Sequence, residues 1–182
     1  LFFDLLNEGK ESVVVDPRTT DGRGFIRRLV DRAAVVVEAS RPRALRQWGL
    51  DAETEVDGGI VWVSITGYGR VGPRSGGVAF GDDAAVSGGL LLDNPVGFVA
   101  DAPADPAGGL VAAVLALAAS ADPAGWMVDV PLAGVAAWLA GDPRVPDHPA
   151  EAGVAPPRAR RVGESAAGLG TDTEKVAASL GS

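Results

Sequence analysis

The chain has 182 residues, 47% of them hydrophobic, enough to bury the core of one ordinary domain. Its 24 acidic against 16 basic residues leave a formal charge of -8, which excludes a nucleic-acid backbone or an anionic lipid surface as the main partner, since both would repel it. Cysteine is absent and histidine occurs once, at His148, which excludes thiolate catalysis, a disulfide framework and a Cys-based zinc site, leaves little room for His-based metal or triad chemistry, and suits a reducing cytoplasm.

In chain order, residues 13–15 are a β-branched run closed by Asp16-Pro17 and predict a short strand. Thr20-Asp21 then opens a segment with Phe25, Ile26, Leu29 and Val30 at helical spacing. Residues 34–38 (AVVVE) read as a strand of the buried, parallel kind, and 42–48 as a short basic helix stopped by Gly49. Residues 60–65 (IVWVSI) form the next strand and run into a glycine-rich loop over 67–77. A helix is expected near 83–92 and another after Asp105. A strand over 126–130 and a helix over 132–140, ended by Gly141, follow.

Strands alternating with helices predict a Rossmann-like α/β fold, an open and mostly parallel sheet with helices on both faces. The proline- and charge-rich run DPRVPDHPAEAGVAPPRARR predicts an extended arm, and residues 171–180 suit one terminal helix. The expected division is a core over residues 1–141 and a linker with tail over 142–182. No apolar stretch approaches the eighteen or so residues of a membrane span, and the opening LFFDLLNEGKE is acidic where a secretory signal is basic. A soluble, cytoplasmic chain is expected.

The stretch AFGDDAAVSGGLLLDNPVGFVADAPADPAGG sets Asp82, Asp83, Asp93, Asp101 and Asp105 among small residues. Asp105 followed by Pro106 is a start signal for the apolar run over 110–119, with Asp105 as N-cap. Capping alone stabilises by about 0.5–2 kcal/mol and needs no chemistry. The spacing of these acids matches no oxygen-ligand loop for a divalent cation.

Gly67-Tyr68-Gly69-Arg70-Val71-Gly72 fits G-x-G-x-x-G directly after a strand, as in dinucleotide sites. Pro73-Arg74-Ser75-Gly76-Gly77 follows, where a phosphate-binding helix should begin, so a loop over a ligand or a plain surface loop fits better than a nicotinamide site. Arg41, Arg43, Arg46 and Gln47 lie on the short helix at the carboxyl end of a strand, where α/β sheets bind ligands, and could meet an anionic ligand or water. Lys10 is a further phosphate partner or a surface lysine. Trp48, Trp62, Trp126 and Trp138 read as packing residues.

Together these pieces resemble the class III CoA-transferase family, which includes formyl-CoA transferase, carnitine CoA-transferase and α-methylacyl-CoA racemase. The resemblance runs through LFFDLLNEGKESVVVDPRTTDGRGFIRRLVDRAAVVVEASRPRAL, WVSITGYGRVGP, AFGDDAAVSGGL, FVADAPADPAGGLVAAVLALAA and WMVDVPLAGVAA, in the family's order, to the closing APPRARRVGESAAGLGTDTEKVAASLG. It implies that Asp105 is the nucleophile that attacks an acyl-CoA thioester, although Pro103 stands two residues before Asp105, not three. It also implies that Ala39, Ser40 and Arg41, with Arg46, Gln47 and Lys10, hold the CoA adenine and phosphates. Ala39-Ser40 stands where relatives often carry Asn-Phe.

The implied reaction moves CoA from an acyl-CoA to a small carboxylic acid through an aspartyl intermediate, with CoA as substrate and no permanent cofactor. A homodimer or a complementing subunit is the implied assembly. The family's first nucleotide-binding strand is expected before Leu1, and a large segment after Ala140 is compressed. Alternatives are a catalytically silent CoA-binding or assembly fragment, and a racemase-like isomerase, for which the histidine expected near AFGDD is missing.

Overall fold

The computed structural model describes residues 2–40, 42–141, 158 and 161–181. It divides into two compact units, Leu1–Arg32 with Asp147–Ser182, and Ala33–Pro146. His148 and most of the expected proline-rich arm lie outside the described residues.

In the first unit, α1 (Phe2–Asn7) and α2 (Thr20–Arg32) open the chain, and α8 (Thr173–Leu180) closes it. The run at 13–15 joins no sheet, because its backbone is taken up by the tail. Ser12 N–H donates to Asp172 Oδ2 at 2.8 Å, Val14 N–H donates to Thr173 Oγ1 at 3.0 Å, and Asp172 N–H returns a bond to the Ser12 carbonyl at 3.0 Å. Glu8 Oε1 accepts from the Gly163 and Glu164 amides, each at 2.8 Å. Residues 161–181 are therefore held along the opening segment rather than standing off as a free tail.

The second unit is built on a parallel three-stranded sheet in the order β1-β2-β5, with β1 Val35–Glu38, β2 Val61–Thr66 and β5 Trp126–Pro131. Between them come α3 (Pro42–Gln47), α4 (Ala52–Asp57), α5 (Gly81–Ser87), an antiparallel hairpin β3 (Leu91–Asp93) and β4 (Val96–Phe98), and α6 (Ala104–Ala119). After β5, α7 (Leu132–Ala140) follows at once. The parallel α/β core is as expected from the alternation.

The pleat of β2 sorts its residues. Val61 and Val63 join Val128, Val130, Ala112, Ala119 and Val135 in one cluster beneath α6 and α7. Trp62 and Ser64 point the other way and are also buried, so β2 is covered on both sides. Trp126 and Trp138, read as packing residues, are exposed, at 47% and 73%.

Several boundaries moved. The helix expected near 83–92 ends at Ser87, since Gly88 and Gly89 follow, with Gly89 at φ 92, and the leucines beyond form the hairpin. α4, N-capped by Asp51 through its bond to the Glu53 amide at 3.3 Å, carries too few apolar residues for a periodic signal. α6 begins at Ala104, so Asp105 lies inside the first turn and is not the N-cap. Pro103 already has helical angles, φ -65 and ψ -21, which moves the start forward.

Gly88 sets the spacing of α5 and α7. A methyl group on Gly88 would lie 2.5 Å from Ala136 Cβ and 2.6 Å from the Ala133 carbonyl oxygen and the Ala137 nitrogen, so α5 and α7 meet through backbone. We expect Gly88→Ala to lower unfolding free energy by about 1–3 kcal/mol through overpacking, measured by urea denaturation.

Candidate functional site

The strongest polar cluster forms at the carboxyl ends of β1 and β2, where parallel sheets leave space for ligands. Val35–Glu38 pairs with residues 61–64 in register, which puts Glu38 beside Ser64. Ser64 Oγ donates to Glu38 Oε1 at 2.6 Å. Arg70, from the glycine loop after β2, donates from Nη1 to Ser64 Oγ at 3.2 Å and lies 3.5 Å from Glu38 Oε1. Its Nη2 donates to Glu53 Oε1 of α4 at 2.7 Å. The Arg70 and Glu38 side chains are 9% and 5% exposed, so this is a buried pair and not a solvated one.

The glycine loop is fixed by its backbone as well. Arg70 N–H donates to Asp129 Oδ2 at 2.7 Å, and Gly69 N–H donates to Thr66 Oγ1 at 2.8 Å. Thr66 Oγ1 donates in turn to Asp129 Oδ1 at 3.4 Å. No helix starts in the loop before α5, so the phosphate-binding geometry of a dinucleotide fingerprint is not formed. Arg74 stacks over the Tyr68 ring at 3.6 Å and donates to Ser87 Oγ at 3.2 Å, tying the far side of the loop to α5.

Hydrogen bonding with Asp51, and then with Arg70, holds the Glu53 carboxyl down at about 2. Its second oxygen lies 3.6 Å from Arg46 Nη2. Arg46, a residue proposed for CoA phosphates, is thus already beside a carboxylate, and Gln47 is exposed next to it. Ala39 and Ser40 are exposed directly after Glu38 at the end of β1. Arg41 lies outside the described residues. Lys10 belongs to the first unit and reaches Asn7 Oδ1 at 3.5 Å.

Asp105 is exposed in the first turn of α6, where the helix dipole favours negative charge. A methyl group on Gly81, the first residue of α5, would lie 2.7 Å from both Cγ and Oδ2 of Asp105. The carboxyl group therefore sits against the start of a second helix. Asp105 N–H is spent on the Ala102 carbonyl at 3.1 Å and Pro106 has no N–H, so the first turn offers fewer amides to an oxyanion than a helix start ordinarily does.

An apolar groove of about 340 Å³ runs between α6 and α7, lined by Val111, Val130, Pro131, Val135 and Trp138. Asp129 is its carboxylate, but both oxygens already accept hydrogen bonds. Asp105 is not among its lining residues. Reading the sequence missed the Glu38–Ser64–Arg70 cluster, because its signal is spread over three elements; the one hint was an arginine inside GYGRVG.

Replacing Arg70 by Met leaves Glu38 buried without its cation. We expect a loss of about 3–5 kcal/mol in chemical denaturation, partly recovered in the Glu38→Gln/Arg70→Met double variant. The depressed Glu53 carboxyl stabilises the fold above its unfolded value of 4.5, and that contribution disappears as pH falls toward 2. The stability difference between wild type and Glu53→Gln should accordingly shrink between pH 4.5 and 2 in acid titrations followed by circular dichroism.

Residues 1–169 match the family model described as CoA-transferase family III. The succinyl-CoA–D-citramalate CoA-transferase of Chloroflexus aurantiacus is 32% identical over 50% of this chain and 23% of its own length. The succinate–glutarate CoA-transferase of Agrobacterium fabrum is 38% identical over 40% of this chain and 18% of its own. The crystal structure of a CAIB/BAIF family protein from Brucella suis superposes with a TM-score of 0.70 at 28% identity, covering 77% of this chain and 40% of that one. The chain thus spans under half the length of these relatives. With the family model running through both units and a parallel α/β core of the same fold, the chain belongs to CoA-transferase family III.

Proposed function

We propose that this chain supplies the nucleophile of a CoA-transferase that moves CoA between an acyl-CoA thioester and a carboxylic acid. The observation that carries the reading is the Asp105 carboxylate, exposed to solvent at the start of α6 and seated against Gly81. A carboxylate held there is open to attack a thioester.

The steps balance as two exchanges. Asp105 Oδ attacks the thioester carbonyl, and the C–S bond breaks to give an acyl-aspartyl anhydride and CoA thiolate. The thiolate attacks the aspartyl carbonyl of that anhydride, releasing the donor's carboxylate and leaving an aspartyl-CoA thioester. An incoming carboxylate attacks this thioester, expels the thiolate and forms a second anhydride. The thiolate then takes the new acyl group and frees Asp105. One thioester replaces another, so no nucleotide is consumed. The α6 dipole supports the anionic intermediates, while the spent amide of Asp105 leaves part of that task to groups beyond this turn.

Ala39, Ser40, Arg46 and Gln47, after β1 and on α3, would meet the nucleotide end of CoA. Arg46 has to exchange Glu53 for phosphate in doing so. A second reading, CoA binding with turnover only alongside further family sequence, is supported by Leu110, Val114 and Leu117, which form an exposed apolar stripe on α6.

The test is to incubate the chain with an acyl-CoA, trap with hydroxylamine and map the product by mass spectrometry. We expect a hydroxamate on Asp105, and a fall of about 10³-fold or more in CoA exchange for Asp105→Asn. A folded chain left unmodified at Asp105 overturns the aspartyl mechanism. CoA binding by calorimetry without turnover favours the second reading.

A further inference from the structure

We propose that Asp82 is a positioning residue for Asp105, acting through the backbone of Ala102. This rests on the reading of Asp105 as nucleophile and adds a residue to it. Ala102 has φ 43, in the left-handed region that an alanine seldom occupies. Such a conformation persists where neighbours hold it on both sides, and here they do. Asp82 Oδ1 accepts from the Ala102 amide at 2.8 Å. The Ala102 carbonyl accepts from the Asp105 amide at 3.1 Å.

The Ala102 peptides thus form a short rigid link from one acid to the other. The side chain of Asp82, on the first turn of α5, fixes the turn from which the α6 start emerges. Gly81, its neighbour, completes the seat: a methyl group there would lie 2.8 Å from Ala102 Cβ and 2.7 Å from the Asp105 carboxyl. One dipeptide, Gly81-Asp82, therefore leaves room for the nucleophile and clamps the turn that presents it. A purely local role for Asp82, as an acid favouring the α5 dipole, does not account for a bond reaching 20 residues along the chain.

The acceptor oxygen is what matters in this proposal, and the charge is not. Asn keeps an acceptor at the same reach, Ala removes it, and Glu keeps the charge while moving the oxygen outward. The readout is the rate of hydroxylamine-trapped adduct on Asp105, measured against acyl-CoA concentration. We expect Asp82→Ala and Asp82→Glu to slow the maximal rate, by up to about 100-fold if the carboxylate shifts near 1 Å, with half-saturation unchanged. Asp82→Asn should stay within about threefold of wild type, since the bond survives. Should Asp82→Ala fail to fold, Asp82→Glu and Asp82→Asn still decide the matter.

Wild-type rates in Asp82→Glu, or an Asp82→Asn variant as slow as Asp82→Glu, overturn the proposal alone, with the wild-type adduct still in place. A folded wild-type chain that gives no adduct instead removes the aspartyl reading itself, and this proposal falls with it.

Discussion

The second unit depends on one strand being hydrogen-bonded along both edges. β2 pairs with β1 through residues 61–64 and with β5 through residues 61–66, both parallel. Val63, Trp62 and Ser64 at its centre are almost completely inaccessible to water. Parallel pairing forces consecutive strands to point the same way, so every connection must leave from one end and return to the other. Glu38, the Thr66–Arg70 turn and Pro131 are gathered at one end for that reason alone.

Gathering strand ends there has an electrostatic cost. Glu38 is buried with one oxygen bonded to Ser64 and the other, Oε2, without a partner among the described residues. A carboxylate in that position is tolerated because Arg70 is buried with it, and Glu53 takes the outer face of the same guanidinium. Arg70 is planar and offers several donors in fixed directions, so it can serve Ser64, Glu38 and Glu53 together, which a lysine ammonium on a flexible stem would do poorly. The arrangement stiffens the loop after β2 more than it strengthens the fold, since burying such a pair offsets much of its own attraction.

The candidate nucleophile lies in a different kind of environment. Asp105 is exposed and has no salt bridge among the described residues; its placement comes from backbone, through the Ala102 turn, and from the absence of a side chain on Gly81. A charged partner would lower its nucleophilicity, and burial would keep a thioester away. Steric definition without neutralisation suits a group that must form and break covalent bonds.

Much of the architecture was legible from local pattern. AVVVE, IVWVSI and the run from Trp126 are mostly apolar, as the strands of a parallel sheet are, and Gly49 and Gly141 follow the helices they were expected to end. Polar α4 and the α5 boundary escaped because a helix of six or seven residues spans under two turns and leaves little periodicity to read. Asp105 was legible as a residue at a helix start, and the two-residue displacement of the N-cap, from Asp105 to Pro103, came from the angles of Pro103.

What the amino-acid order determined by itself was the alternation of strand and helix, the glycine breaks, and an acid at the head of an apolar helix. These follow from periodicity and backbone preference, which act over a few residues. Which side chains meet was decided by tertiary structure: Glu38 with Ser64, 26 positions apart, Asp82 with the Ala102 amide, 20 apart, and Gly81 against Asp105. Parallel register and helix packing set those meetings, and no local pattern encodes the distance between two segments that come together only when the sheet closes over its core.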